Sequence, residues 1–517
     1  ASVSWTITGT NTAAVITGTS QALINANGTI QSASGTLSVT DVDSAQTFQA
    51  QSGLTGDYGT FSIDANGAWT YVMNGPHPEL LAGVPYVDTF KVLSADGTEA
   101  VVTIDLQGNG VAFIGTDGND AFSAPTTAET TIDGAAGVDT IVLGETSAIL
   151  NTMSDSQLRN VEIIDASGAT SGVTIDLSKQ SEGFTILGSA YADTITGSSG
   201  ADSISAGDGD DTIKDPVNAD SIYGGAGTDR IVLTHTSTSL NSLTDAKLDG
   251  VEIIDASGAT SAVSINLSQQ GEGFTIIGSA HVDTIIGSAG DDRVLGLIAS
   301  DTMDGGAGRD TIVLSATSTE LNNLSNAQLR NIEVIDASGA TSGVTIDLSQ
   351  QNDGFTIIGS AYADTIKASS FVDTISAGDG DDLIIDPVAA DSIAGGAGND
   401  RVVLTHTSTG LNGLADMKLS GIEVIDASTA TSAVKIDLSK QTDSFTIIGS
   451  AYADTILGGS GDDRIVNLIA TDTMDGGGGR DTLVLTATSA ELNSLTDARL
   501  KNVEVIDASA ASTGVTL

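Results

Sequence analysis

The chain has 517 residues, with 67 Asp and Glu against 18 Lys and Arg and a formal net charge of −49; such an anionic surface repels phosphate backbones and excludes nucleic acid as a partner. Charged residues make up only 16 % and apolar ones 40 %, so this is not a disordered acidic tail, and the length calls for several domains or a repeat array. With no cysteine, disulfides, thiolate metal sites and cysteine nucleophiles are excluded, any metal must be held through oxygen, and no run of about 18 apolar residues offers a membrane span.

Residues 1–110 hold both tryptophans, Trp5 and Trp69, and predict a conventional packed core. YGTFSIDANGAWTYVMN at 58–74 alternates apolar and polar on either side of Asn66-Gly67, a pair that supplies positive φ for a hairpin turn. Asp96-Gly97 repeats the device between DTFKVLS and EAVVTIDL. Successive hairpins predict an antiparallel β-sandwich over 1–110. With GTLSVTDVD at 35–43 and DTFKVLSADGTEAVVTIDLQG at 88–108, this region resembles a VCBS domain, a cadherin-like module found in tandem in large bacterial surface proteins. WTITGTN at 5–11 resembles the last strand of such a module. The resemblance implies a folded spacer, with Asp41 and Asp43 as candidates for calcium between modules, although Asn109-Gly110 replaces the usual Asn-Asp ending.

From about residue 115 the chain repeats. VEIIDASGAT at 161 recurs unchanged at 251 and in variant form at 332, 422 and 503, at separations of 90, 81, 90 and 81 residues. The long period is therefore 171, and its two units differ by nine. The 90-residue unit contains five contiguous nonapeptides, GSAYADTIT at 188 to GGAGTDRIV at 224; the 81-residue unit contains four, GSAHVDTII at 278 to GGAGRDTIV at 305. The eighth position is apolar throughout, as in Ile195, Ile204, Ile213, Ile222 and Ile231. A glycine-rich turn plus a three-residue strand cannot bury one Ile alone, so the units must stack, two to a coil, as a parallel β-roll or β-solenoid over 111–517. The fold class is all-β, a sandwich followed by a solenoid with short helical insertions.

These nonapeptides resemble the GGxGxDxUx motif of the repeats-in-toxin (RTX) family, which forms calcium-bound β-rolls. The resemblance implies Ca2+ held by sixth-position aspartates and turn carbonyls of stacked coils, a donor set suited to a hard ion. Carried over, it pairs Asp211 with Asp229, Asp292 with Asp310, Asp382 with Asp400 and Asp463 with Asp481, eighteen residues apart, and Asp120 with Asp139 at nineteen. Asp220, Asp301, Asp391 and Asp472 lie in turns without the central glycine and are expected to be hydrogen-bonded or solvated rather than full ligands. Calcium is expected on one side of the roll.

The forty-five-residue segments between blocks, such as 233–277, carry LNSLTDAKLDG at 240–250, where Leu240, Leu243 and Leu248 predict one face of a short helix ended by Gly250. VEIID, VSINLS and FTIIGS then continue the roll through wider coils, which Phe184, Phe274, Phe355 and Phe445 fill. Catalysis is not expected. His77 in HPELL is not the HExxH zinc motif, the glycine clusters lack Gly-Lys-Ser/Thr, and the paired carboxylates recur once per unit instead of once per domain.

The leading expectation is an extracellular, calcium-dependent stalk of a bacterial cell-surface adhesin or matrix protein, exported by type I secretion and folding afterwards. The partners are calcium and copies of itself or other surface components. The alternatives are a self-assembling surface-layer or filament subunit, as in biofilm or S-layer material, and the calcium-binding portion of a secreted RTX-type enzyme.

Overall fold

A computed structural model describes residues 4–5 and 9–511, apart from 27, 29, 78, 109, 129, 218–219, 299, 319–320, 389, 409, 470 and 486–495. Residues 6–8 of the opening run and Asn109 of the Asn109-Gly110 ending lie outside the described residues. The chain divides into two compact units, Ala1–Gly209 and Asp210–Leu517.

The first unit opens with eight strands: β1 (Val15–Gly18), β2 (Gln21–Asn25), β3 (Ser32–Thr40), β4 (Gln51–Thr55), β5 (Gly59–Ile63), β6 (Ala68–Met73), β7 (Pro85–Leu93) and β8 (Glu99–Gln107). They form two sheets, β1-β3-β6-β5-β4 and β2-β8-β7. The two predicted hairpins are present. β5 pairs antiparallel with β6 from Gly59↔Met73 to Ile63↔Trp69, and β7 with β8 from Pro85↔Gln107 to Leu93↔Glu99, with Gly67 and Gly97 at positive φ in the turns. One pairing departs from the all-antiparallel expectation: β2 runs parallel to β8, because two residues after β1 carry the chain into the second sheet. Phe61, Trp69, Tyr71, Phe90 and Ile104 share the core, with Phe61 stacked on Phe90 at 4.7 Å. Asp88 is buried among them and is satisfied by the Tyr71 hydroxyl at 2.7 Å and the Asp57 and Tyr58 N–H groups. Without those donors a buried carboxylate would be strongly destabilising.

Short parallel strands follow in the same unit. Val111–Ile114, Thr130–Asp133 and Leu158–Arg159 form one sheet; Ala121–Ser123, Thr140–Val142, Ile163–Asp165, Thr185–Leu187 and Ser203–Asp208 pair in sequence in another.

The second unit is solenoid throughout. Strands pair, parallel and in register, with the strand two positions later, except that Leu248–Asp249, Leu329–Arg330 and Leu419–Ser420 each end a sheet, and successive strands alternate between two faces. Ile213, Ile231, Ile254 and Ile276 stand directly over one another and are fully buried. The ladder holds because each three-residue strand points its central side chain inward, and burying one Ile contributes about 1.5–3 kcal/mol.

The forty-five-residue segments continue the roll, as expected, through strands Ile253–Asp255, Ser264–Asn266 and Thr275–Ile277. The predicted helix is not one helix. Leu240–Ser242 and Asp245–Lys247 are separate 3₁₀ turns, broken by Leu243 and Thr244 in extended conformation, and Leu248–Asp249 is already a strand on Ile222–Tyr223. Extension at Leu243 lets Leu240, Leu243 and Leu248 all bury, which a single helix of this length would not combine with strand pairing at Leu248. The four recurrent phenylalanines are buried.

Candidate metal centre

All five sequence-predicted aspartate pairs come together, each through the same bond. The backbone N–H of the first aspartate donates to Oδ1 of the second: Asp120 to Asp139 at 2.7 Å, Asp211 to Asp229 at 2.8 Å, Asp292 to Asp310 at 2.8 Å, Asp382 to Asp400 at 2.9 Å and Asp463 to Asp481 at 2.8 Å. Stacking at strand spacing therefore places successive carboxylates along one edge of the coil. The one-sided arrangement is corrected. Asp211/Asp229 and Asp292/Asp310 lead into strands Thr212–Lys214, Arg230–Val232, Arg293–Leu295 and Thr311–Val313, linked on one face, whereas Asp382/Asp400 and Asp463/Asp481 lead into Leu383–Ile385, Arg401–Val403, Arg464–Val466 and Thr482–Val484 on the other. One 171-residue period advances the chain by seventeen strands, from Thr212–Lys214 to Leu383–Ile385. Seventeen is odd, so equivalent turns change sides.

The second carboxylate oxygen separates the aspartates into two kinds. Asp301, Asp391 and Asp472 accept one N–H from the preceding coil and another from their own turn: Ile298, Val388 and Ile469 donate to Oδ2 at 2.7 Å. Asp220 likewise accepts the Val217 N–H. These are the turns expected to be hydrogen-bonded. By contrast, Asp139, Asp229, Asp310, Asp382, Asp400 and Asp481 each retain a buried Oδ2 that no donor of the protein reaches. Among the remaining predicted ligands, Asp292 accepts Ser288 and Phe274 N–H groups, Asp463 accepts Gly459 and Phe445, and Asp120 accepts Thr116. Asp120, Asp292 and Asp463 thus also have Oδ2 occupied by an N–H, here from four residues before the aspartate instead of three.

In the glycine-rich turns the backbone conformation of the residue four before the aspartate decides the outcome. In Asp400's turn it is Gly396 at φ 117°, and in Asp382's it is Gly378 at φ 116°, a conformation that turns the N–H away from the carboxylate. In Asp292's turn it is Ser288, whose N–H reaches Oδ2 at 2.7 Å. A Cβ at Gly396 would also collide with the Gly378 carbonyl oxygen, as one at Gly398 would with that of Gly380. Backbone carbonyls therefore crowd the edge where the orphan oxygens lie.

Sequence reading missed five glutamates. Glu162, Glu252, Glu333, Glu423 and Glu504 each accept, through Oε2, the N–H of the last aspartate of the preceding block: Asp139, Asp229, Asp310, Asp400 and Asp481, at 2.7–2.9 Å. The signal was a constant offset of 23 residues across the block boundary. Asp210, Asp291, Asp381 and Asp462, the other members of the paired carboxylates, accept through Oδ1 the N–H of Thr228, Arg309, Asn399 and Arg480, tying successive turns together.

Burial, reinforced by neighbouring carboxylates, pushes Asp310, Asp382 and Asp463 up to about 6, and holds Asp229, Asp400 and Asp481 above their ordinary range. Asp373 and Asp472 rise to about 6 chiefly through burial. Such groups bind protons more tightly folded than unfolded. Without calcium, stability is therefore expected to increase as pH falls from about 7 through about 6 toward about 4, and the gain is lost again as pH rises. Calcium needs the charged carboxylates, so its affinity is expected to fall over the same window. Thermal melts across this range, in chelator and in calcium, check both slopes; a chelated sample that loses stability on mild acidification would contradict the assignment.

Buried carboxylate oxygens without donors, flanked by turn carbonyls, are a donor set that fits calcium. Among the described residues no three His, Cys, Asp or Glu side chains gather as a metal-binding group, so carbonyls must supply much of any coordination. The RTX calcium-binding nonapeptide repeat matches residues 185–213, 218–233, 277–312, 358–385, 389–404, 446–467 and 470–484. The blocks are similar to RTX repeats. These matches fall on the nonapeptide blocks, and they support an RTX-type, calcium-binding protein. No curated protein matches the chain. No described helix is long and apolar enough to cross a membrane.

Proposed function

We propose that this chain is an extracellular structural segment, a stalk, of a bacterial cell-surface adhesin or matrix protein, without catalytic activity of its own, that folds on binding calcium after export. The observation that carries the reading is the set of orphaned, buried Oδ2 atoms in stacked glycine-rich turns. Asp120 and Asp139, Asp211 and Asp229, Asp292 and Asp310, Asp382 and Asp400, and Asp463 and Asp481 would hold the ions with the turn carbonyls. At Asp120, Asp292 and Asp463 the ion must first displace an N–H donor from Oδ2, so those three pairs are the weaker sites. Cytosolic calcium lies far below the millimolar range that extracellular modules use, which keeps stacked carboxylates uncompensated inside the cell. The resemblance of residues 1–110 to a VCBS module supports placement in a surface array.

Electron microscopy of the purified chain in millimolar calcium and in chelator, with circular dichroism on both samples, tests the reading. Isolated particles with calcium-dependent strand content are expected. Ordered sheets or filaments in calcium would replace the stalk with a self-assembling subunit, and equal strand content in both samples would sink calcium-driven folding.

A further inference from the structure

We propose that Glu162, Glu252, Glu333, Glu423 and Glu504 each complete an additional calcium site at the end of a nonapeptide block, between the last glycine-rich turn and the first coil of the following segment. The inference rests on the calcium-binding reading above and extends it to residues outside the nonapeptides.

The register places each glutamate where the next turn aspartate would stand. Asp382 donates its N–H to Asp400, and Asp400 in turn donates its own to Glu423 at 2.7 Å; Glu423 and Val424 N–H groups both return to the Asp400 carbonyl. The column of carboxylates thus runs one step beyond the nonapeptides. Its other end differs. There Asp364 donates to Asp382, and Val344 opens the column by donating its N–H to Asp364 Oδ1 at 2.7 Å, which shows that a coil can join the column without a carboxylate.

Capping the last N–H requires only an acceptor, and a neutral amide would serve. A charged group is instead placed beside an aspartate that is 0 % exposed at Asp229, Asp310, Asp400 and Asp481 and whose Oδ2 has no donor. Two carboxylates in that setting repel unless a cation lies between them. A carbonyl converges on the same corner: a Cβ at Gly395 would sit 2.5 Å from Asp400 Oδ2 and collide with the Gly421 carbonyl oxygen, and Gly224 stands in the same relation to Asp229 and Gly250. Gly250 and Gly421 adopt φ of 65° and 60°, as Asn160 and Asn331 do at 50°, so this left-handed residue aims its carbonyl inward at every block end. The site is open to solvent where a cavity has formed. Glu162 lines one of about 760 Å³ with Asp155, Glu182 and Arg159, and Glu333, one period later, lines another of about 290 Å³. The donors are all hard oxygens and suit calcium.

The test is calcium stoichiometry by equilibrium dialysis with radioactive calcium on the full chain, comparing wild type with a variant carrying Glu→Gln at all five positions. Gln keeps the acceptor for the aspartate N–H and removes the charge. The expected result is a loss of about one bound calcium per substituted glutamate with strand content in calcium retained. If the fivefold variant does not fold, Glu423→Gln alone is expected to lose about one ion. A folded variant that binds as many ions as wild type overturns the site and leaves the calcium reading intact. A wild-type chain that binds none overturns both.

Discussion

Chelating calcium from the purified chain is expected to abolish most of the strand signal of the solenoid while Trp69 stays buried. A site occupied at a hundredfold excess over its Kd stabilises the folded state by about 2.7 kcal/mol, and a handful of such sites equals the whole stability of an ordinary domain, about 5–15 kcal/mol. Removing the ions also leaves the stacked carboxylates uncompensated, and burial, reinforced by neighbouring carboxylates, already pushes Asp310, Asp382 and Asp463 up to about 6. The sheets of 15–107 have a separate core, with Trp69, Tyr71 and Phe61 almost fully enclosed and Asp88 satisfied by its own neighbours. Far-ultraviolet dichroism and tryptophan fluorescence followed through the same calcium titration should therefore give different curves. Coincident loss of both signals would show that the two regions fold as one.

The second large effect separates the two kinds of aspartate. Replacing Asp382 and Asp400 together by Asn is expected to lower stability in calcium by roughly the contribution of one site, about 2–3 kcal/mol, and to raise it in chelator. The amide keeps Oδ1 for the N–H bonds to Asp364 and Asp382 and removes two charges that burial disfavours. Asp391→Asn should behave otherwise. Both its oxygens receive backbone N–H groups, from Asp373 and Val388, so an amide must oppose one donor with another and strand a buried N–H, at about 1–3 kcal/mol with or without calcium. Denaturant melts of both variants in calcium and chelator decide the matter; a double variant equally destabilised in both conditions would show that Asp382 and Asp400 are structural only.

Much of this was legible in the sequence, for identifiable reasons. One apolar residue every nine positions gave the isoleucine ladder, since no other packing buries a single side chain per turn. A spacing of eighteen gave the aspartate pairs. What escaped notice depends on torsion angles and on junctions. GSAGDD and GGAGRD read alike when judged by their central glycine, but the second position holds the N–H that either reaches the carboxylate or turns away. Even there composition is insufficient, since Gly459 has the permissive residue and still donates to Asp463. The glutamates were overlooked because their partners lie in the preceding block, beyond the reach of a nine-residue pattern. The predicted helix at 240–250 followed from leucine spacing that two extended residues satisfy equally well.

The odd number of strands in each period has a further consequence. A forty-five-residue segment contributes four strands, not five, so position along the chain and side of the coil are related by a parity, much as codons are related to a reading frame. Deleting one nonapeptide from a block would carry every later aspartate pair to the opposite face while leaving each local turn unchanged; deleting two would return them. Gains and losses of single repeats, which cost little in local packing, therefore rewrite the arrangement of ions on everything downstream.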